Sequence, residues 1–312
     1  MDTHISKSRY LTGAISGLAA VSIWAGWMSA TRAGVTTSLS PEDVTALRFG
    51  TAGLLLLPVL LKHGLGGDRI RLWQLAILIC GAGAPYALVA STGLRWLPAA
   101  QGGALIPGVM PLFVGLLSAA IFKEVFSLTR KAGYLLIVLG VLVITGLELM
   151  LSDQQRLLGV VLFLNASLMW ACYTLVLKRS GLKPLHAAAL VSVGSAVFYL
   201  PWYFLTSGLQ ILQAPMADVL FQASFQGIVA TILSLFLYGR AITLLGASAG
   251  ATFGALVPAL SALIAIPVLH ELPTIVGWAG IFAISAGVYL ASGGPLKVIR
   301  LRTKITAGAM PE

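Results

Sequence analysis

Eight side chains set in otherwise apolar stretches are candidates to hold a solute: Trp24, Trp27, Tyr86, Gln101, Asn165, Trp170, Tyr173 and Tyr238. Trp24 and Trp27 stand three residues apart, so on a helix they share a face. Trp170 and Tyr173 repeat that spacing. Paired aromatic rings with a nearby amide suit an apolar or aromatic solute carrying a polar head. The same residue types also build aromatic belts at membrane interfaces, and that reading stays open at this point. The Asn165 amide needs hydrogen-bond partners, which turns it away from lipid.

A second group is suited to bending or gating. Pro111 and Glu124 are thirteen residues apart, and so are Pro258 and Glu271. A proline inside a helix removes one hydrogen bond and crowds the carbonyl four residues earlier. Pro111 would release the carbonyl of Pro107, Pro258 that of Gly254, and Pro85 that of Gly81. Released carbonyls survive at membrane depth only where protein or a wet cavity covers them, so these helices are expected to turn their kinks inward. Glu124 and Glu271 fall where the next helix begins and can cap its free amides, with a gating ion pair as the alternative. Arg48 is the one formal charge well inside an apolar stretch. Such a charge marks a functional site by default, although Arg48 can also reach the nearby surface or pair with Glu42 or Asp43.

Catalytic and metal chemistry lack their residues. There is no HExxH, no pair of inward carboxylates and no Ser/His/Asp set. Cys80 and Cys172 lie singly in apolar runs, without CxxC spacing. No cofactor and no metal is expected. Nor does any apolar stretch carry a central Asp or Glu, so proton coupling through a buried carboxylate has no candidate.

The elements that must position these residues are membrane helices. Hydrophobic residues make up 58% of the chain and charged residues 10%, against about 25% charged in ordinary soluble domains. Mean hydropathy is +0.94. The bilayer is the solvent for so much apolar surface. The net charge of +10 does not indicate nucleic acid, because the basic residues sit in short loops between apolar runs. Ten runs are long enough to span: 11–31, 43–61, 72–94, 98–122, 131–147, 157–177, 185–206, 219–239, 246–269 and 274–293. The first is too long for a cleaved signal and reads as a retained helix.

Loop charge orients the chain. With the N-terminus inside, only Arg32, Arg95 and Arg156 lie outside and Arg48 lies within a span; the other sixteen of the 20 Lys and Arg residues lie inside. Both termini are therefore expected in the cytoplasm, in a multi-pass protein of a bacterial-type cytoplasmic membrane. The halves also repeat. Adding 147 carries Pro111, Glu124, Gly133, Gly140 and Val141 onto Pro258, Glu271, Gly280, Gly287 and Val288, and Gly103-Ala104 onto Gly250-Ala251. Five helices per half is odd, so the second half enters the membrane inverted, which puts a solute site between the halves. The expected organisation is a tail at 1–10, repeats at 11–147 and 157–293 joined by an external linker at 148–156, and a tail at 294–312.

These features resemble EamA-type permeases of the drug/metabolite transporter superfamily. The residues concerned are Ile23-Trp24-Ala25-Gly26, Leu47-Arg48-Phe49, Trp170-Ala171-Cys172-Tyr173, the two Pro…Glu helix ends, and the glycines Gly133, Gly140, Gly280 and Gly287. The resemblance implies an all-α, ten-helix inverted repeat. Its central cavity would be lined by helices 1, 3, 4, 6, 8 and 9, with 5 and 10 peripheral. It also implies a secondary transporter, an exporter of metabolites such as amino acids or amphipathic compounds. A nucleotide-sugar or sugar-phosphate exchanger is the alternative within the superfamily. Expected partners are the lipid bilayer and a small-molecule solute, with a homodimer left open.

Overall fold

The structure is a computed structural model and describes residues 7–66, 70–150, 153–206, 210–245 and 253–293. Both predicted tails, the Gly250-Ala251 half of one repeat match, and the predicted start of the ninth span lie wholly or largely outside these residues. All regular elements among the described residues are helical. Eight are long and apolar enough to cross a membrane. They are α1 (Lys7–Thr36), α2 (Pro41–His63), α3 (Leu72–Trp96), α4 (Ala99–Phe122), α5 (Leu128–Met150), α6 (Gln154–Ser180), α7 (Pro184–Thr206) and α8 (Met216–Leu245). Two shorter apolar helices follow, α9 (Val257–Leu269) and α10 (Ile275–Ala291).

Local chemistry explains the helix ends. Ser40 starts α2 through a reciprocal capping box: the Asp43 amide donates to Ser40 Oγ (3.1 Å) and the Ser40 amide donates to Asp43 Oδ2 (2.8 Å). Pro41 supplies the first turn, and Gly64 closes the helix at φ +67°. Lys123 and His270 end α4 and α9 in the left-handed conformation, at φ +55° and +56°. They lie 147 positions apart and are the only non-glycine residues at positive φ among the described residues, so the repeat extends to backbone geometry.

The expected proline kinks are complete breaks. α3 divides at Gly83 into Leu72–Ala82 and Ala84–Trp96. α4 divides into Ala99–Leu105 and Met110–Phe122, with turns between. Pro85, Pro111 and Pro258 each fall in the first turn of the segment that follows. There the missing N–H is one that has no intrahelical partner anyway, so no hydrogen bond is forfeited. At the α3 break, the Ala84 amide instead donates to Ser195 Oγ of α7 at 3.0 Å.

α5 and α10 pack against each other at the periphery, with Gly133 and Gly140 facing Gly287 and Gly280. Outward faces carry apolar side chains such as Leu54, Leu139, Phe198, Leu205 and Phe236. That is the surface lipid requires. The protein is accordingly a multi-pass integral membrane protein.

Candidate functional site: an aromatic cavity

The broken helices surround a cavity with about 960 Å³ of atom-free space, its open mouth included. Helices α1, α2, α3, α4, α6, α7, α8 and α9 all contribute to its wall, and α5 and α10 do not. An aromatic chain crosses it. Trp27 of α1 stacks near Tyr86 of α3, with centroids 6.3 Å apart. Tyr86 meets the edge of Trp170 of α6 at 5.2 Å. Trp24 packs on Tyr238 of α8 at 4.8 Å, and its indole N–H donates to Ser234 Oγ at 3.1 Å. Tyr173 completes the wall. The approach of α3 to α6 depends on Gly81, where a Cβ would stand 2.6 Å from the Met169 carbonyl oxygen.

Behind the rings runs a buried polar relay between α1 and α8. Trp27 Nε1 donates to Gln226 Oε1 at 2.5 Å. Gln226 Nε2 donates to Thr31 Oγ1 (2.9 Å) and Gln222 Oε1 (3.0 Å), and Gln222 Nε2 donates to the Ala30 carbonyl (2.6 Å). Gln226 belongs to a π-helical stretch of α8, Ala223–Leu233. A π-helix re-aims side chains by widening the turn.

The two Pro…Glu helix ends differ. Glu271 forms an ion pair with Arg32 of α1 and accepts the Ala99 amide at the start of α4 (2.9 Å). Arg32 also donates to the Leu94 and Leu97 carbonyls, at 2.6 and 2.7 Å. These bonds draw the ends of α1, α3, α4 and α9 together. At the other helix end, Glu124 bonds Arg130 of α5 at 3.0 Å. Arg179 at the end of α6 lies over the Phe122 ring, 3.3 Å from its centroid. Neither glutamate caps the helix that follows it. Ser127 Oγ accepts the Arg130 amide in the first turn of α5, and Thr274 Oγ1 accepts the Gly277 amide in α10. Those hydroxyls sit at the cap positions, which frees both carboxylates to reach further.

The sequence profile of the EamA-like transporter family matches residues 11–146 and again residues 157–293. The chain belongs to the EamA-like transporter family. It is 27% identical over 276 residues to the uncharacterized transporter YwfM of Bacillus subtilis (strain 168), covering 85% of this chain and 90% of that protein. A solved structure described only as "Crystal structure of protein" superposes with a TM-score of 0.58 at 18% identity, covering 89% of this chain and 96% of the other. That likeness is one of fold.

Within this EamA-like transporter, Trp24, Trp27, Tyr86, Trp170 and Tyr173 line one cavity, and Tyr238 stacks on its wall. Gln101 does not join them. It lines a second pocket beside Arg32 and Glu271. Asn165 lies exposed on α6 rather than turned inward. Arg48 neither reaches the surface nor pairs with Glu42 or Asp43. Its guanidinium stands over Trp27 (5.2 Å) and Phe49 (5.5 Å) in the cavity wall. The wall thus includes α2 and α7, beyond the six helices the resemblance implied. Gln222 and Gln226 lie outside the residues that spacing and type single out in the sequence. Two amides four residues apart in an apolar run were the available signal.

Proposed function

We propose that this transporter carries small organic metabolites outward across the cytoplasmic membrane by alternating access between its two repeats. In this reading the chain crosses ten times with both termini in the cytoplasm. The asymmetry between matched helix ends carries the proposal. Arg32 stands eight residues after Trp24, and Lys178 and Arg179 stand eight and nine after Trp170. Each repeat therefore brings a basic residue on its first helix and a glutamate after its fourth. At the Glu271 end the basic residue and the glutamate are joined. At the Glu124 end they are apart, each with another partner. The cavity wall reaches Pro184 and Ala188 in the first turns of α7, which follows Arg179. One end is latched by an ion pair and the other is not, the arrangement a cytoplasm-facing carrier would have. Release of Arg32 from Glu271, with Arg179 or Lys178 taking Glu124, would present the same cavity to the opposite side.

Accessibility labelling tests this. In a Cys80→Ala/Cys172→Ala background, Ala188→Cys should react with a membrane-impermeant maleimide from the cytoplasmic side. Adding Arg32→Gln should shift that reactivity toward the outside and expose Ala100→Cys there. If positions beside Glu124 and Glu271 react from the same compartment, the inverted arrangement and the carrier reading both fail.

A further inference from the structure

Two hydrogen-bond donors in the cavity wall have no partner among the described residues. Arg48 Nε and the Tyr86 hydroxyl are both shielded from solvent and unbonded. They come from α2 and α3, and Trp27 lies against both, 5.2 Å from Arg48 Cζ and 6.3 Å from the Tyr86 centroid. An unpaired buried donor is costly, and an unpaired charge at membrane depth more so. The nearest carboxylate along the chain is committed elsewhere: Asp43 accepts the Ser40 amide (2.8 Å) and the Tyr203 hydroxyl (2.5 Å). Arg48 is in neither ion pair found among the described residues. Among the described residues lining the cavity it alone carries a charge.

We propose that the cavity binds a small organic monoanion: a carboxylate held by Arg48 and Tyr86, joined to an apolar or aromatic body seated among Trp24, Trp170 and Tyr173. This rests on the carrier reading and names its substrate class. The guanidinium fork matches the two carboxylate oxygens, and the phenol adds a third donor. One positive charge balances one negative charge. A phosphate dianion would leave charge uncompensated in a low-dielectric site. The ammonium of a zwitterion would meet no carboxylate in the described wall, and an organic cation would meet Arg48.

Four probes of similar shape separate these cases: 3-phenylpropionate, phenylalanine, phenethylamine and phenyl phosphate. Binding to the purified full chain is read by thermal stabilisation, and passage by counterflow in proteoliposomes. 3-Phenylpropionate should bind and cross, with the other three at least about tenfold weaker. Arg48→Gln should weaken it about 10- to 100-fold and Tyr86→Phe about 3- to 10-fold, with Arg48→Lys recovering part of the loss. Tyr86→Phe keeps the test decisive if Arg48→Gln fails to fold. Preference for phenylalanine, phenethylamine or phenyl phosphate overturns the monoanion assignment and leaves the carrier reading standing. Unchanged affinity in Tyr86→Phe and in folded Arg48 variants overturns it too, as does silence from all four probes. Failure of the carrier reading shows separately, in the labelling pattern.

Discussion

A methyl group added to Gly133 of α5 would lie 2.7 Å from the carbonyl oxygen of Gly287 in α10. The reciprocal contact places a Cβ on Gly140 2.8 Å from the carbonyl oxygen of Gly280. Gly133 corresponds to Gly280 and Gly140 to Gly287 in the repeat, so each glycine meets the counterpart of the other. This crossed pairing makes the two helices antiparallel and relates them by a pseudo-twofold axis.

Backbone this close leaves no room for a side chain. Gly133→Ala and Gly287→Ala should each destabilise the protein by about 1–3 kcal/mol. Gly146→Ala, where a Cβ meets nothing within 4 Å, should be neutral or stabilising by up to about 1 kcal/mol. Thermal unfolding in detergent reads the difference. Equal shifts for Gly133→Ala and Gly146→Ala would contradict the packing.

The Trp27–Gln226 bond joins the repeats behind the cavity wall. Trp27→Phe keeps most of the ring and removes the donor, leaving the Gln226 oxygen buried and unpaired. The expected cost is about 1–3 kcal/mol. Gln226→Leu should cost more, since Thr31 and Gln222 also bond it. Melting temperatures of the two variants and their double mutant measure the coupling.

Glu271 does two jobs that substitution can separate. Gln keeps an oxygen for the Ala99 amide and gives up the charge that pairs with Arg32. Ala gives up both. Glu271→Ala should therefore lose about 1–2 kcal/mol more than Glu271→Gln. Both should raise labelling of the cavity from the Glu271 end. Stability curves and thiol accessibility on the same samples test the two roles together.

Cavity walls and outer faces should answer differently in a transport assay. Withdrawing a buried aromatic ring costs roughly 1.5–3 kcal/mol. Trp170→Ala and Tyr173→Ala should therefore weaken solute affinity about 10- to 100-fold. Asn165→Ala, on the exposed face of the same helix, should leave flux unchanged. A loss in Asn165→Ala matching that of Tyr173→Ala would displace the site.

Helix positions, the repeat and the aromatic pairs were readable without coordinates. Lipid forces every backbone group to bond within its own segment, so a long apolar run admits few shapes. Pro85, Pro111 and Pro258 marked where regular structure stops. Which way each face turns was not readable. In a soluble helix the apolar stripe identifies the core, but a membrane helix is apolar toward lipid and toward its neighbours alike. Asn165 and Tyr173 therefore looked equivalent, and Arg48 looked free to reach the surface. Only the packing of α1 against α3 and α8, and of α3 against α6, settles that Trp27, Tyr86 and Trp170 meet while Asn165 turns outward. Likewise, matched sequence assigned Glu124 and Glu271 the same role. The folded chain gives them different partners: Glu124 meets Arg130, whose counterpart 147 positions on is Gly277, and Glu271 meets Arg32 of α1 instead.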